Sequence, residues 1–502
     1  MKRIFAAFLC LCLLLCGCQT DGETAGEPAA DITPEELFSD RDLSGKYDEN
    51  TVYISLSGQS AACNGNGVSI QGSTVTVTKG GTYVLTGTLS DGMIIINADK
   101  TEKVQLAFEG AAIHSETCAP IYVQQADKVF ITLAEGTENS LSNGGVFTPI
   151  DESNIDAVIF SREDLTLNGT GTLTVTSPAG HGIVSKDELT VASGKYIITS
   201  ASHGLCGKDS VAIADGSFVI TSGKDGIHGE NDQEDTPAFV YIGGGSFRID
   251  AADDAIRANG NVDVAGGVFQ IAAGDDGFHA DETLTVTGGQ ITITESYEGL
   301  EGLHVLVSGG TIDLRASDDG INAAGGMDQS GMDDFRGGGW GGPGRPGGGM
   351  GGQPGGMSAG NGSITITGGH ITIYAAGDGL DANGTLAMSG GYMQVCGPTV
   401  GDTATLDYDT SATITGGTFV GTGASNMAQT FSDSNQGVLA VSIRGTIPAG
   451  TQITVADVSG NVMLSYTPEA SFAVIIFSSP QMVKGQTYQI TAGTVSGSVA
   501  AQ

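Results

Sequence analysis

The stretch Gly274-Asp275-Asp276-Gly277-Phe278-His279-Ala280, continued by Leu284-Thr285-Val286-Thr287-Gly288-Gly289-Gln290-Ile291-Thr292-Ile293, is a small acidic turn followed by two short strands that meet at a Gly-Gly corner. The block recurs: the turn residues Gly182, Gly204 and Gly226 are 22 apart, as are Gly277 and Gly299, and Gly320 follows 21 later. Apolar residues alternate within it, as at Leu284, Val286, Ile291 and Ile293, so each strand has one face to bury and no block can bury it alone. Stacking the blocks at the ~4.8 Å spacing of neighbouring strands pairs every backbone group with the rungs above and below and makes one core. The expected fold is therefore all-β: a right-handed parallel β-helix, a solenoid with three short strands in each rung of about 22 residues. A β-propeller blade needs about twice that period.

Working outward, residues 50–420 form the expected solenoid, interrupted by an acidic loop at 230–238 and by a Gly-rich insert at 325–362 that contains Gly337-Gly338-Gly339-Trp340-Gly341-Gly342-Pro343-Gly344. The rung resumes at Ser363-Ile364-Thr365-Ile366, so the insert reads as a loop on one face, with Trp340 at its tip. Over residues 421–502 the repeat fades. Leu439-Ala440-Val441-Ser442-Ile443, Ile453-Thr454-Val455, Phe472-Ala473-Val474-Ile475-Ile476-Phe477 and Tyr488-Gln489-Ile490 predict a small antiparallel β cap, which a solenoid needs because a bare last rung invites further strand pairing.

At the other end, Lys2 and Arg3 precede an apolar run from Ile4 to Leu15 that is too short to span a bilayer. It closes with Leu15-Cys16-Gly17-Cys18, which resembles a bacterial lipoprotein signal over residues 1–18. Cys18 would carry the lipid and tie the chain to the extracellular face of the cell membrane. Residues 19–49 follow as a flexible tether, to judge from the aperiodic Gly, Pro, Ala and acids of its first half. Cys63, Cys118, Cys206 and Cys396 are too scattered to describe a zinc site or a disulfide framework.

Among the 502 residues, 57 Asp+Glu against 20 Lys+Arg give a formal charge of −37, which excludes nucleic acid as a natural partner. Aligned on the turn glycine, the rungs place Asp225, Asp253, Asp254, Asp275, Asp276, Glu298, Asp318, Asp319 and Asp378 in one column. Carboxylates about 5 Å apart repel by roughly a kcal/mol or more per pair at a surface. A hard cation with six to eight oxygen ligands offsets this most simply, and calcium tolerates ligands from rigid rungs better than magnesium does. The plain alternative is that Asp-Gly serves turn geometry alone. Beside the acids lie Lys224, His228, Arg257, His279 and Asn322, expected as a solvent-facing row that meets sugar hydroxyls. With no third histidine and no thiolate evident near His228 and His279, the column does not describe zinc, and no motif nominates a catalytic nucleophile.

The Asp-Gly rungs, together with Thr82-Tyr83-Val84-Leu85-Thr86-Gly87-Thr88-Leu89, Ile131-Thr132-Leu133-Ala134-Glu135-Gly136-Thr137-Glu138-Asn139 and Phe160-Ser161-Arg162-Glu163-Asp164-Leu165-Thr166-Leu167-Asn168-Gly169-Thr170-Gly171, resemble a family of clostridial surface proteins. Those are calcium-binding, carbohydrate-binding β-helix proteins on a scaffold similar to pectate lyases, typified by a polygalacturonate- and cellulose-binding member. Leu406-Asp407-Tyr408-Asp409 and Lys484-Gly485-Gln486-Thr487-Tyr488 share the likeness, which covers roughly residues 50–495. It implies calcium in the turns and binding of an acidic plant cell-wall polysaccharide. The sequence departs from the pattern at Ala255, at Glu298, and at His181 and His203, which precede Gly182 and Gly204. With a single Trp, flat aromatic docking on cellulose is not expected, and Tyr297, Tyr374 and Tyr392 read as rung packing. Two other functions remain open: a calcium-dependent pectate lyase with Lys224 or Arg257 as base, and a surface adhesin or stalk.

Overall fold

The computed structural model describes residues 37–47, 51–231, 233, 236–323, 360–398 and 403–502. The lipoprotein signal with Cys18, and Trp340 with nearly all of the Gly-rich insert, lie outside them. The chain is all-β, and its strands stack in parallel on their equivalents one rung away.

Each rung supplies three strands. One row holds Lys195–Ser200, Ser217–Ser222, Ser246–Ala251, Val268–Ala273 and Gln290–Glu295, each parallel to the next. A second row, starting just after the turn, runs through Leu205–Gly207, Ile227–Gly229 and Ile256–Ala258 to Phe278–Val286, whose far half joins the third row. That third row includes Glu188–Val191, Ser210–Ile213, Phe239–Ile242 and Val262–Val264. Like residues fall in register: Ile198 on Ile220, Ile220 on Ile249, Ile249 on Ile271. They fill a continuous buried core, inside which the Phe218, Phe247 and Phe269 rings stack at 4.8 and 4.7 Å. That separation is the rung spacing itself.

The two glycine types have different causes. At the Gly-Gly corners the second residue has positive φ, as at Gly267 (111°) and Gly289 (96°), a conformation that L side chains rarely adopt. At the acidic turns the glycine is needed for close approach instead: a Cβ on Gly277 would sit 2.6 Å from the Gly299 carbonyl oxygen. Ala255 occupies the same place in its rung, fully buried, so the alanine is accommodated there and its rung keeps register.

Both ends are closed by antiparallel pairs. Val52–Gly58 pairs with Ser60–Cys63, and Val68–Gln71 with Thr74–Val77, while Val52–Gly58 and Thr74–Val77 also begin the parallel rows. At the far end Phe472–Ser478 runs antiparallel to Thr418–Gly423, the last strand of its parallel row, and to Val438–Ile447. Beyond it stands a four-stranded antiparallel sheet of Ile453–Ala456, Val462–Tyr466, Thr487–Ala492 and Val495–Ala500, with its own apolar cluster. The tether expected through residue 49 is corrected over residues 37–47, which lie on the solenoid. Phe38 packs on Tyr241, and the buried Asp42 is held by Lys128 at 2.9 Å and Thr166 at 2.6 Å. The four cysteines after Cys18 are free thiols.

Candidate functional site

Five aspartates of the column, each just before a turn glycine or Ala255, use one oxygen for the backbone of the next rung. Asp225 Oδ1 accepts the Asp254 N–H at 3.2 Å, Asp254 Oδ1 the Asp276 N–H at 2.9 Å, and Asp276 Oδ1 the Glu298 N–H at 3.1 Å. Farther along, Asp319 Oδ1 accepts the Asp378 N–H at 2.5 Å and Asp378 Oδ1 the Ala404 N–H. The carboxylate ladder is thus a chain of backbone acceptors, a role that Asp-Gly composition alone did not disclose. It leaves one oxygen per acid for other partners.

What those oxygens meet divides the ladder into three parts. At the N-terminal part, imidazoles converge: His228 Nδ1 contacts Asp225 Oδ2, and His203 Nδ1 lies 3.2 Å from the same oxygen. Burial opposes protonation of His228, but hydrogen bonds to Asp225 and Glu230 outweigh it and raise its pKa to about 9. Asp225 is itself pulled well below the carboxylate range, because its two imidazole partners outweigh burial.

In the middle, Arg257 Nη1 lies 3.5 Å from Asp254 Oδ2 and Nη2 lies 3.9 Å from Asp281. His279 holds Asp276 through Nδ1 and Asp281 through Nε2, each at 3.0 Å, and Nδ1 also contacts Glu301. Burial would deprotonate His279, but these three acids hold it charged. Burial raises Asp254 to about 7 despite the His279 charge nearby. Asp253, Asp254 and Asp275 also bring oxygens within 4.8 Å of one another, with the Arg257 guanidinium leaning on the set.

The C-terminal part differs. Oxygens of Asp319, Asp378 and Asp381 lie within 4.8 Å of one another, and the side-chain charges that act on them most strongly are all acids. Burial, then neighbouring carboxylates, raises Asp319 to about 8, Asp378 to about 7 and Asp381 to about 6, against the backbone bonds made by the first two. Asp318 is half-buried beside them, and Asp407 pairs in register with Asp381. Asn322 is the register neighbour of Asp381 on its other side; its Oδ1 is buried without a hydrogen-bond partner among the described residues. A Cβ on Gly377 would collide with both Asp318 and Asp319, so the backbone here is shaped around the two carboxylates.

This donor set fits a hard divalent cation. Three oxygens within 4.8 Å of one another lie close enough to converge on one ion at calcium–oxygen distances of about 2.3–2.6 Å with small side-chain adjustment, and Asn322 offers a neutral carbonyl. The N-terminal and middle acids fit calcium less well, because imidazolium or guanidinium already neutralises Asp225, Asp254 and Asp276. Glu298 accepts from Asn322 Nδ2 at 2.8 Å.

The expected solvent-facing row is corrected. His228 and His279 are each 6% exposed and Asn322 3%, because their polar atoms turn back onto the acids of their own and neighbouring turns. Arg257 is half-buried and Lys224 exposed, so these two are the members of that set that reach solvent. Tyr374 lies under the Arg315 guanidinium and Tyr392 stacks on His370 at 4.6 Å. Sequence reasoning missed His203, Glu230, Asp281, Glu301 and Asp381. Glu301 and Asp381 stand two residues after a turn glycine in segments that were aligned, so position carried a signal there. His203 was visible only as a departure from Asp-Gly.

A family model described as carbohydrate-binding domain-containing protein matches residues 71–331. A protein of Acetivibrio thermocellus with the same description is 30% identical over 201 residues, 39% of this chain and 64% of its own length. The chain thus spans less than two thirds of that relative. A solved polysaccharide lyase-like protein from C. thermocellum, a gadolinium derivative, aligns with 32% identity and a TM-score of 0.45 over 47% of this chain and 96% of that one. The family match runs through the rungs that carry the ladder from Asp225 to Asp319 and over more than half of the sequence, and the chain belongs to the carbohydrate-binding domain-containing protein family.

Proposed function

We propose that this chain is a lipid-anchored protein of the cell surface that binds an acidic, polygalacturonate-like cell-wall polysaccharide without cleaving it, through calcium held at the C-terminal part of its acid ladder. The scaffold would be a right-handed parallel β-helix, the hand that parallel β crossovers overwhelmingly take. Membership of the carbohydrate-binding domain family supports a glycan partner. The observation that carries the finer reading is the convergence of Asp319, Asp378 and Asp381, whose strongest charged neighbours among the described residues are all acids. A protein of formal charge −37 repels a polyuronate, whereas a calcium ion with open positions on one side takes protein carboxylates and a uronate oxygen together.

The lyase alternative is disfavoured at one of its two candidate bases. Arg257 is held charged by Asp254 and Asp281 against the pull of burial, and a guanidinium so paired does not accept a proton. The test is an isotherm of the chain from residue 19 onward on polygalacturonate, first with calcium and then with chelator. Saturable binding lost on chelation is the expected result. Equal binding in both conditions would remove calcium from the account, no binding in either would remove the acidic glycan, and an unsaturated product absorbing near the ultraviolet edge would restore the lyase.

A further inference from the structure

We infer that the N-terminal part of the same column is a second cation site of different chemistry, built for a nitrogen-preferring divalent transition metal of the zinc class. Atoms of His203, Asp225 and His228 lie within 4.8 Å of one another, two of them imidazole nitrogens. Imidazole is a good ligand for zinc, nickel and copper and a poor one for calcium, which takes oxygen. The sequence argument against zinc rested on the lack of a third histidine near His228, and folding removes that objection. His203 stacks on His228 at 4.1 Å, and His181 on His203 at 5.0 Å.

Two further features suit a metal more than a packed core. His203 Nδ1 accepts the Asp225 backbone N–H at 3.2 Å, so in this arrangement that nitrogen carries no proton, and it lies 3.2 Å from Asp225 Oδ2 as well. His228 turns Nδ1 to Asp225 and Nε2 to Glu230 at 2.9 Å, the carboxylate–imidazole–ligand relay that orients histidines around metal ions. Binding exchanges the proton on His228 Nδ1 for the metal ion: one proton leaves to solvent, both imidazoles then act as donors of lone pairs, and Asp225 stays ionised.

The site is independent of the calcium reading and lies several rungs from Asp319, so the two can fail separately. The experiment is calorimetric titration of zinc chloride into untagged protein in excess calcium, with cobalt(II) visible absorption as the reporter of ligand type. One equivalent is expected to bind, with a nitrogen-containing cobalt spectrum. His203→Gln and His228→Gln are each expected to weaken zinc about tenfold or more, while Asp319→Asn leaves zinc affinity unchanged. Absence of stoichiometric binding to the parent protein overturns the proposal, as does zinc affinity unmoved in both histidine variants. If a histidine variant unfolds, Glu230→Gln decides instead: it removes only the outer carboxylate, and a loss of affinity in a protein with unchanged circular dichroism supports the site, while unchanged affinity counts against it.

Discussion

At Asp319 one oxygen accepts the Asp378 N–H at 2.5 Å, while the carboxylate as a whole faces Asp378 and Asp381. The two tasks separate under substitution. Asp319→Asn keeps an oxygen acceptor for the backbone and deletes the charge, so calcium affinity is expected to fall at least tenfold while the metal-free protein melts no lower than the parent. Asp319→Ala removes both and leaves the part-buried Asp378 N–H without its acceptor, which costs about 1 kcal/mol in urea denaturation. Equal loss of stability in the two variants would mean that the charge, not the ladder bond, holds the turn. Gly377→Ala should weaken calcium as well, since its Cβ collides with Asp318 and Asp319. What could not be read at this scale is where a short strand turns its side chains. Alternation puts Glu301 and His279 opposite the inward Leu300 and Phe278, hence toward solvent. In strands this short, next to a tight turn, the side chains fold back over neighbouring acids and become buried.

The strand rows were the most legible part of the chain. Backbone pairing between rungs demands that equivalent residues recur at a fixed interval, and an interval of 22 can be counted without knowing any contact. The Phe218–Phe247–Phe269 stack is the same constraint expressed in side chains. Phe247→Ala is expected to cost about 3–5 kcal/mol, as large-to-small core changes do, with early exchange of amide hydrogens in the adjoining rungs. Exchange spread evenly along the molecule instead would mean that the solenoid unfolds as one unit. Less legible was the segment at 37–47. It has no rung pattern, and only the fold reveals that Lys128, Thr166 and Asn168 gather to receive Asp42 and its neighbours.

Over the whole molecule, the protonation of the column sets a pH dependence of definite sign. Asp254, Asp319, Asp378 and Asp381 have folded-state values of about 7, 8, 7 and 6, against about 3.9 for an unfolded Asp. Between those limits the folded protein binds more protons than the unfolded one, so stability falls as pH rises. His228, raised to about 9, acts in the same direction: its contribution is complete below the unfolded value of about 6.5 and is lost as pH climbs through 9. His181 and His203, held neutral by burial, act oppositely near pH 6.5, but the raised carboxylates and His228 outnumber them. Asp225 and Glu301, held low, contribute above about pH 4 and lose that contribution only in stronger acid. Melting temperature in chelator should therefore decline from pH 5 to pH 8, and calcium should raise it more at pH 8, where the ligands are ionised, than at pH 5. A rise with pH in chelator would show that the carboxylates are not crowded as described.

The most direct test of calcium at the C-terminal part of the ladder is a calorimetric calcium titration of chelator-treated protein beside its Asp378→Asn and Asp381→Asn variants. Saturable binding to the parent, weakened at least tenfold in both variants while each keeps the parent's circular dichroism, is the expected outcome. Calcium binding of equal strength in all three proteins would contradict the assignment to Asp319, Asp378 and Asp381, and no calcium binding to the parent would leave the acid ladder as a chain of backbone acceptors alone.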